Sequence, residues 1–102
     1  MRLTETQQEA LHTACRRHFG EAAALWLFGS RADDRARGGD IDLYLETPET
    51  DSDKLMAAKL AFLVALDREL GEQKIDLVIR RLGDQEEQPI HRIARSTGVR
   101  LL

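Results

Sequence analysis

The chain opens with the repeat of an amphipathic helix, predicted over about residues 4–19. Its apolar positions recur every four residues, at Leu11, Cys15 and Phe19. This spacing places the three side chains on one helix face. Thr4 followed by Gln7 matches a capping box, and Gly20 is placed to end the helix. The pattern therefore predicts a helix with one buried face.

Three later segments have the patterns of β-strands. Residues 22–28 form an apolar run interrupted by Gly29, which suits a strand buried on both faces. Residues 40–46 and 74–80 alternate polar and apolar side chains, which is the period of a half-buried strand. Residues 99–102 are compatible with a short terminal strand.

The remaining segments complete an order α-β-α-β-α-β-α. A short helical turn is predicted after Ser30, a long helix over about Ser52–Leu70, and a last helix that begins at Pro89 and ends at Gly98. This order predicts an α/β (α+β) fold, with a small mixed β-sheet and helices packed against it.

Size and composition predict one domain over residues 1–102. With 42% hydrophobic and 32% charged residues, the chain can build a modest core. A core this thin is compatible with a homo-oligomer or with a partner chain. The single cysteine, Cys15, excludes an intramolecular disulfide and is interpreted as a core residue.

Charge and hydropathy narrow the functional class. A formal net charge of −3 and a pI of about 5.6 argue against a protein that mainly wraps nucleic acid, because phosphate affinity requires a basic surface. No apolar run approaches the roughly 20 residues of a membrane span, and the first residues do not resemble a signal segment. We therefore expect a cytoplasmic protein with no membrane partner.

The second predicted strand carries the first chemical signal, Asp40-Ile41-Asp42. Side chains alternate along a strand, so Asp40 and Asp42 point to one side while Ile41 faces the core. Two neighbouring carboxylates repel each other and suit a hard cation such as Mg²⁺, which also takes substrate phosphates as ligands. A lone Asp-x-Asp is more often a pair of solvated charges.

Two further signals accompany this pair. Asp76 lies on the polar face of the third predicted strand, and if the two strands are neighbours it supplies a third carboxylate for a two-metal phosphoryl-transfer site. Gly29 and Ser30 follow the first strand, where a turn or short helix begins and its free backbone N–H groups attract phosphates. Arg31, Arg35 and Arg37 could each pair with phosphate oxygens, and we expect Arg31 to do so.

Together these residues resemble the signature of the polymerase-β-like nucleotidyltransferases. The segments Gly29-Ser30-Arg31-Ala32 and Gly39-Asp40-Ile41-Asp42-Leu43 are most similar to the minimal nucleotidyltransferase (MNT) family, many of whose members are antitoxins encoded beside a HEPN-domain toxin. Nearly the whole chain takes part in the resemblance. The loop before Asp40 is one residue shorter than in many relatives, and Gly39 replaces a serine, which affects the loop contacts and not the carboxylates.

The resemblance implies a nucleotidyltransferase fold and a function. Asp40, Asp42 and Asp76 would bind two Mg²⁺ ions, and Asp76 would assist deprotonation of the acceptor hydroxyl. Gly29 and Ser30 would contact the β- and γ-phosphates of ATP, with Arg31 beside them. The expected reaction is transfer of AMP to a tyrosine hydroxyl on a HEPN-type toxin.

Three alternatives stay open from the sequence. The chain could be an antitoxin that only binds and masks its partner, although the intact carboxylates argue against this. It could modify a small molecule, as aminoglycoside nucleotidyltransferases do, but those usually carry an extra helical domain. A nucleic-acid polymerase is disfavoured by the acidic charge. Among other residues, Trp26 is predicted to be core, and the three histidines lack metal-ligand spacing.

Overall fold

The computed structural model describes residues 1–32, 40–71, 73–83 and 86–102. Its helices are α1 (Glu5–Phe19), α2 (Ser52–Leu70) and α3 (Pro89–Thr97), with a short 3₁₀ helix at Gly29–Ala32. Its strands are β1 (Ala24–Phe28), β2 (Ile41–Thr47), β3 (Ile75–Arg81) and β4 (Val99–Arg100). The order along the chain confirms the predicted one, including the short terminal strand.

The four strands form one mixed sheet in the order β3-β2-β1-β4. Strand β1 is antiparallel to both of its neighbours, whereas β2 and β3 are parallel. Parallel neighbours require a crossover connection, which the 19-residue helix α2 provides. The predicted small mixed sheet with packed helices is therefore confirmed.

The main core lies between the sheet and the helices α1 and α2. Helix α1 contributes Leu11 and Cys15, and burial raises the pKa of the Cys15 thiol to about 11. Phe62 and Leu66 of α2 are both fully buried. The strands add alternate residues to the same layer: Leu25, Leu27, Ile41, Leu43 and Leu45. The alternation predicted for β2 therefore places its apolar side chains where expected.

The opposite face of the sheet is more buried than its pattern predicted. Tyr44, on the polar side of β2, is 0% exposed because α3 covers it through Ala94. Trp26 packs beside it at a ring-centroid distance of 5.3 Å. The half-buried prediction for β2 is thus wrong from Tyr44 onward, because the alternation does not reveal that a distant helix will cover this face.

The helix ends follow local rules. The Thr4 hydroxyl accepts from Gln7 N at 3.1 Å, and Gln7 Oε1 accepts from Thr4 N at 3.0 Å, which confirms the capping box. Gly20 and Gly71 close α1 and α2 at φ values of +83° and +75°. None of the helices in the described part of the chain is long and apolar enough to cross a membrane.

Candidate active site

Asp42 and Asp76 lie opposite each other on the parallel strands β2 and β3, where they are register partners. Both face the side of the sheet that α1 and α2 do not cover, since their odd-numbered neighbours fill the core. Burial, followed by the negative charges of Asp76 and Asp40, raises the pKa of Asp42. A side-chain hydrogen bond with Asp76 raises it further. The two carboxylates thus form a like-charged pair that would gain from a cation.

Asp40 lies two residues before Asp42, at the same end of β2. Its Oδ2 is 3.4 Å from Nζ of Lys74, the residue that precedes β3. The Ile41 backbone N–H donates to the Lys74 carbonyl at 3.0 Å, so the chain segments that carry this ion pair are held side by side. Sequence reasoning did not identify Lys74, although its position two residues before Asp76 places both side chains on one face of an extended segment.

Gly29 brings the turn after β1 directly against Asp42. Phe28, the last residue of β1, is the register partner of Asp42. Gly29 has φ +70°, and a Cβ built on it would overlap Oδ2 and Cγ of Asp42. The predicted phosphate-binding turn and the carboxylate pair are therefore in contact.

Ser30 and Arg31 continue this turn and are held by the chain's N-terminal segment. The Arg2 guanidinium donates to the Ser30 carbonyl at 3.0 Å, and Arg2 N donates to the Arg31 carbonyl at 2.8 Å. Arg31 in return donates to the Arg2 carbonyl at 3.1 Å and to Gln73 Oε1 at 3.4 Å. Arg2 and Gln73 were missed at the sequence level, because no local motif marks a long-range hydrogen bond.

The donor set at this edge has the chemistry of a Mg²⁺ site. Its side chains offer carboxylate oxygens, and the Asp42–Asp76 pair already carries the repulsion that a divalent cation would relieve. In the described residues, however, no group of three or more His, Cys, Asp or Glu side chains is arranged to hold a metal ion. The structure therefore brings Asp42 and Asp76 together, while Asp40 is paired with Lys74.

All six residues of the predicted site lie in the described part of the chain, but most of the loop between Arg31 and Asp40 does not. Residues 33–39, which include Arg35, Arg37 and Gly39, lie outside the described residues. Two cavities among the described residues lie beside α1 and α2, and neither is lined by the three aspartates.

A second polar cluster was not predicted. The Tyr44 hydroxyl donates to Glu46 Oε2 at 2.7 Å, and burial, with this bond, raises its pKa to about 12. Arg95 of α3 pairs with Glu46 at 3.4 Å and also contacts Glu87. His91, only 2% exposed, stacks on the Tyr44 ring at 5.6 Å. These contacts fasten α3 to the sheet on the side that carries Asp42 and Asp76.

Comparison with known proteins adds one finding. A family model described as a nucleotidyltransferase domain matches residues 9–99, a span that includes Gly29, Ser30 and the three aspartates. None of the curated proteins compared with the chain matches it.

Proposed function

The chain belongs to the nucleotidyltransferase domain family, and from this premise we propose that it transfers AMP from ATP to a tyrosine hydroxyl of a partner protein. The observation that carries this proposal is the contact of three elements: Asp42 faces Asp76 across parallel strands, and Gly29 lies against Asp42. A turn suited to phosphates beside paired carboxylates is the arrangement that nucleotidyl transfer requires.

We propose that Asp40, Asp42 and Asp76 hold Mg²⁺, as two ions, once a metal ion has displaced Lys74 from Asp40. When bound, the metal supplies charge neutralisation on the triphosphate and lowers the pKa of the attacking hydroxyl. Asp42 and Asp76 already face each other, and Asp40 lies at the same end of β2. The pair Asp40–Lys74 is exposed enough to exchange one cation for another, since its side chains are 43% and 72% exposed.

The turn of Gly29 and Ser30 is proposed to bind the β- and γ-phosphates. Gly29 lacks a side chain where one would overlap Asp42, so the backbone can approach a phosphate beside that carboxylate. Arg2 holds the Ser30 carbonyl at 3.0 Å, which orients the backbone of the turn. Arg31 adds positive charge next to it, with part of its guanidinium bound to Arg2 and Gln73.

In the reaction, the acceptor oxygen forms a bond to the α-phosphorus of ATP while the bond between that phosphorus and the bridging α–β oxygen breaks. Pyrophosphate leaves, and the acceptor's proton passes to the Asp76 carboxylate. Asp76 suits this role because it is solvent-exposed, whereas Asp42 beside it is partly buried. A hydroxyl on the surface of another molecule can therefore reach Asp76.

The proposed acceptor follows from the resemblance to minimal nucleotidyltransferases. Its motif is carried here by Gly29, Ser30, Asp40 and Asp42. Many members of that family are antitoxins encoded beside a HEPN-domain toxin. We therefore propose that this chain is the antitoxin of such a pair, which it neutralises by AMP transfer.

The test is to incubate the chain with ATP, Mg²⁺ and the protein encoded by the adjacent gene. We expect a mass increase of one AMP on a tyrosine of that protein. Asp42→Ala and Asp76→Ala should abolish it, because each removes half of the carboxylate pair. Asp67→Ala, which changes an exposed carboxylate on α2, is the matched control and should leave the transfer intact.

Other outcomes would contradict the proposal in different ways. If the wild-type chain neutralises its partner without a mass change, and the aspartate variants do so equally well, the chain is a masking antitoxin. Transfer of AMP to a small hydroxylated molecule, with none to the protein, would keep the chemistry and replace the acceptor.

A further inference from the structure

Lys74 is a cation at the edge of the carboxylate site that the expected chemistry leaves without a role. Its Nζ lies 3.4 Å from Asp40 Oδ2, and its positive charge lowers the pKa of Asp42, against the larger effects that raise it. The Lys74 carbonyl accepts the Ile41 N–H at 3.0 Å, which anchors its backbone beside β2. The ammonium group therefore lies beside Asp40 and close enough to Asp42 to affect its pKa.

The Lys74–Asp40 ion pair is weak enough to be broken by a competing cation. Lys74 is 72% exposed and Asp40 is 43% exposed, and ion pairs so open to water contribute little stability. A divalent cation at Asp40 would replace Lys74, because it carries twice the charge and prefers carboxylate oxygens. The freed ammonium would then be available to bind another anion.

The residue before Lys74 contacts the turn that is proposed to bind phosphate. Gln73 accepts a hydrogen bond from Arg31 of the phosphate-binding turn at 3.4 Å. Gln73 therefore contacts the turn, and Lys74 beside it contacts Asp40. A triphosphate that extends from the Asp42–Asp76 pair to the turn would pass next to this segment.

We propose that Lys74 is a further catalytic residue, whose ammonium neutralises Asp40 when no metal is bound and binds phosphate oxygens of the nucleotide when Mg²⁺–ATP occupies the site. This inference rests on the proposed function, because it requires a nucleoside triphosphate as ligand. A lysine acts in such a role as a mobile point charge, which its four-carbon stem allows.

The two roles predict opposite effects of one substitution. Without its lysine competitor, Lys74→Ala should bind Mg²⁺ alone about 2–5-fold more tightly, the range expected for loss of an exposed ion pair. The same variant should bind Mg²⁺ with a non-hydrolysable ATP analogue about 10-fold more weakly, because it lacks a charged hydrogen-bond donor to phosphate. Lys74→Arg should restore the affinity for the analogue to within a few-fold.

Isothermal titration calorimetry can measure both affinities on the full chain, without any acceptor. Lys54→Ala is the matched control, since Lys54 is exposed near the start of α2, and it should change neither affinity. Unfolding temperatures of all variants in EDTA show that each one is folded.

The outcomes separate this inference from the proposed function. If wild-type protein binds the analogue and Lys74→Ala binds both ligands as wild-type does, Lys74 is only a surface ion pair and the inference is overturned. If Lys74→Ala weakens the binding of Mg²⁺ alone, the competition role is overturned. If wild-type protein binds no nucleotide with Mg²⁺, the proposed function fails and this inference fails with it.

Discussion

Gly29 lies so close to Asp42 that a Cβ at position 29 would overlap the Asp42 carboxylate. The two residues are brought together because Phe28 pairs with Asp42 across the antiparallel strands β1 and β2. Gly29 also has φ +70°, a conformation that residues with a Cβ rarely adopt. The turn and the carboxylate site are therefore in direct contact, and a substitution in either should alter the geometry of the other.

Gly29→Ala should damage both stability and nucleotide binding. Backbone strain at this φ contributes about 1–2 kcal/mol of destabilisation, and the overlap with Asp42 adds to it. Chemical denaturation measures the first effect, and titration with Mg²⁺ and an ATP analogue measures the second.

Gly71→Ala provides the matched control for this substitution. Gly71 has φ +75°, but a Cβ there would meet nothing within 4 Å. It should therefore show the strain without the contact and leave nucleotide binding unchanged. Equal losses of stability in the two variants would contradict the close contact between Gly29 and Asp42.

Asp42→Asn should stabilise the metal-free protein while it abolishes Mg²⁺ binding. Two facing carboxylates repel each other by about 1 kcal/mol when screened by water. The asparagine removes this repulsion and supplies an N–H donor for a hydrogen bond to the Asp76 carboxylate. Calorimetry in EDTA should show a melting temperature higher by about 4–8 °C for a gain of that size. The same change at Asp67, exposed on α2, should have little effect, and a lower melting temperature for Asp42→Asn would refute the like-charge interpretation.

Arg2→Ala should weaken nucleotide binding more than it weakens the fold. The substitution removes the guanidinium that holds the Ser30 carbonyl, but the backbone bond from Arg2 N to the Arg31 carbonyl remains. Loss of one such hydrogen bond costs about 1 kcal/mol, which corresponds to several-fold in the dissociation constant for the ATP analogue. Arg17→Ala, an exposed arginine on α1, is the control. Unchanged affinity in Arg2→Ala would mean that the turn is ordered without Arg2.

Acid should loosen α3 through His91. Its Nδ1 accepts the Gln88 N–H at 3.0 Å, which only an unprotonated nitrogen can do. Burial, and then the positive charge of Arg80, lowers the pKa of His91 below its usual value of 6.5. The folded state thus binds a proton less readily than the unfolded state, so the stabilisation is present above pH 6.5 and lost as the pH falls below it.

The charged groups around this imidazole act in both directions. Arg80 and Arg95 lower the pKa of His91, whereas Glu87 and Glu46 raise it. His91→Asn keeps an acceptor without a titrating ring, so its stability should fall less than that of the wild type between pH 7 and pH 5. Denaturation midpoints at pH 7 and pH 5 measure the loss of stability in each protein, with His12→Asn as the control. Parallel pH profiles for wild type and His91→Asn would contradict this role of His91.

Local sequence patterns determined where the helices and strands lie and which functional side chains stand at the strand ends. Leu11, Cys15 and Phe19 recur every four residues because successive turns of one helix bury the same face. Such a repeat can be recognised without the rest of the fold. The alternation around Asp40 and Asp42 likewise assigns both aspartates to one strand face. Thr4 with Gln7 predicted a helix start, because capping bonds join residues three apart.

Only the tertiary structure decided which of these residues meet. Asp42 faces Asp76 because β2 and β3 are parallel neighbours in one register. The α2 crossover makes the strands parallel, and the packing of the buried sheet face determines the register. The Asp40–Lys74 pair, the hold of Arg2 on Ser30 and the burial of Tyr44 under α3 are also contacts between distant segments. Such contacts leave no periodic trace along the chain, because their energy comes from the packing of whole elements and not from neighbouring residues.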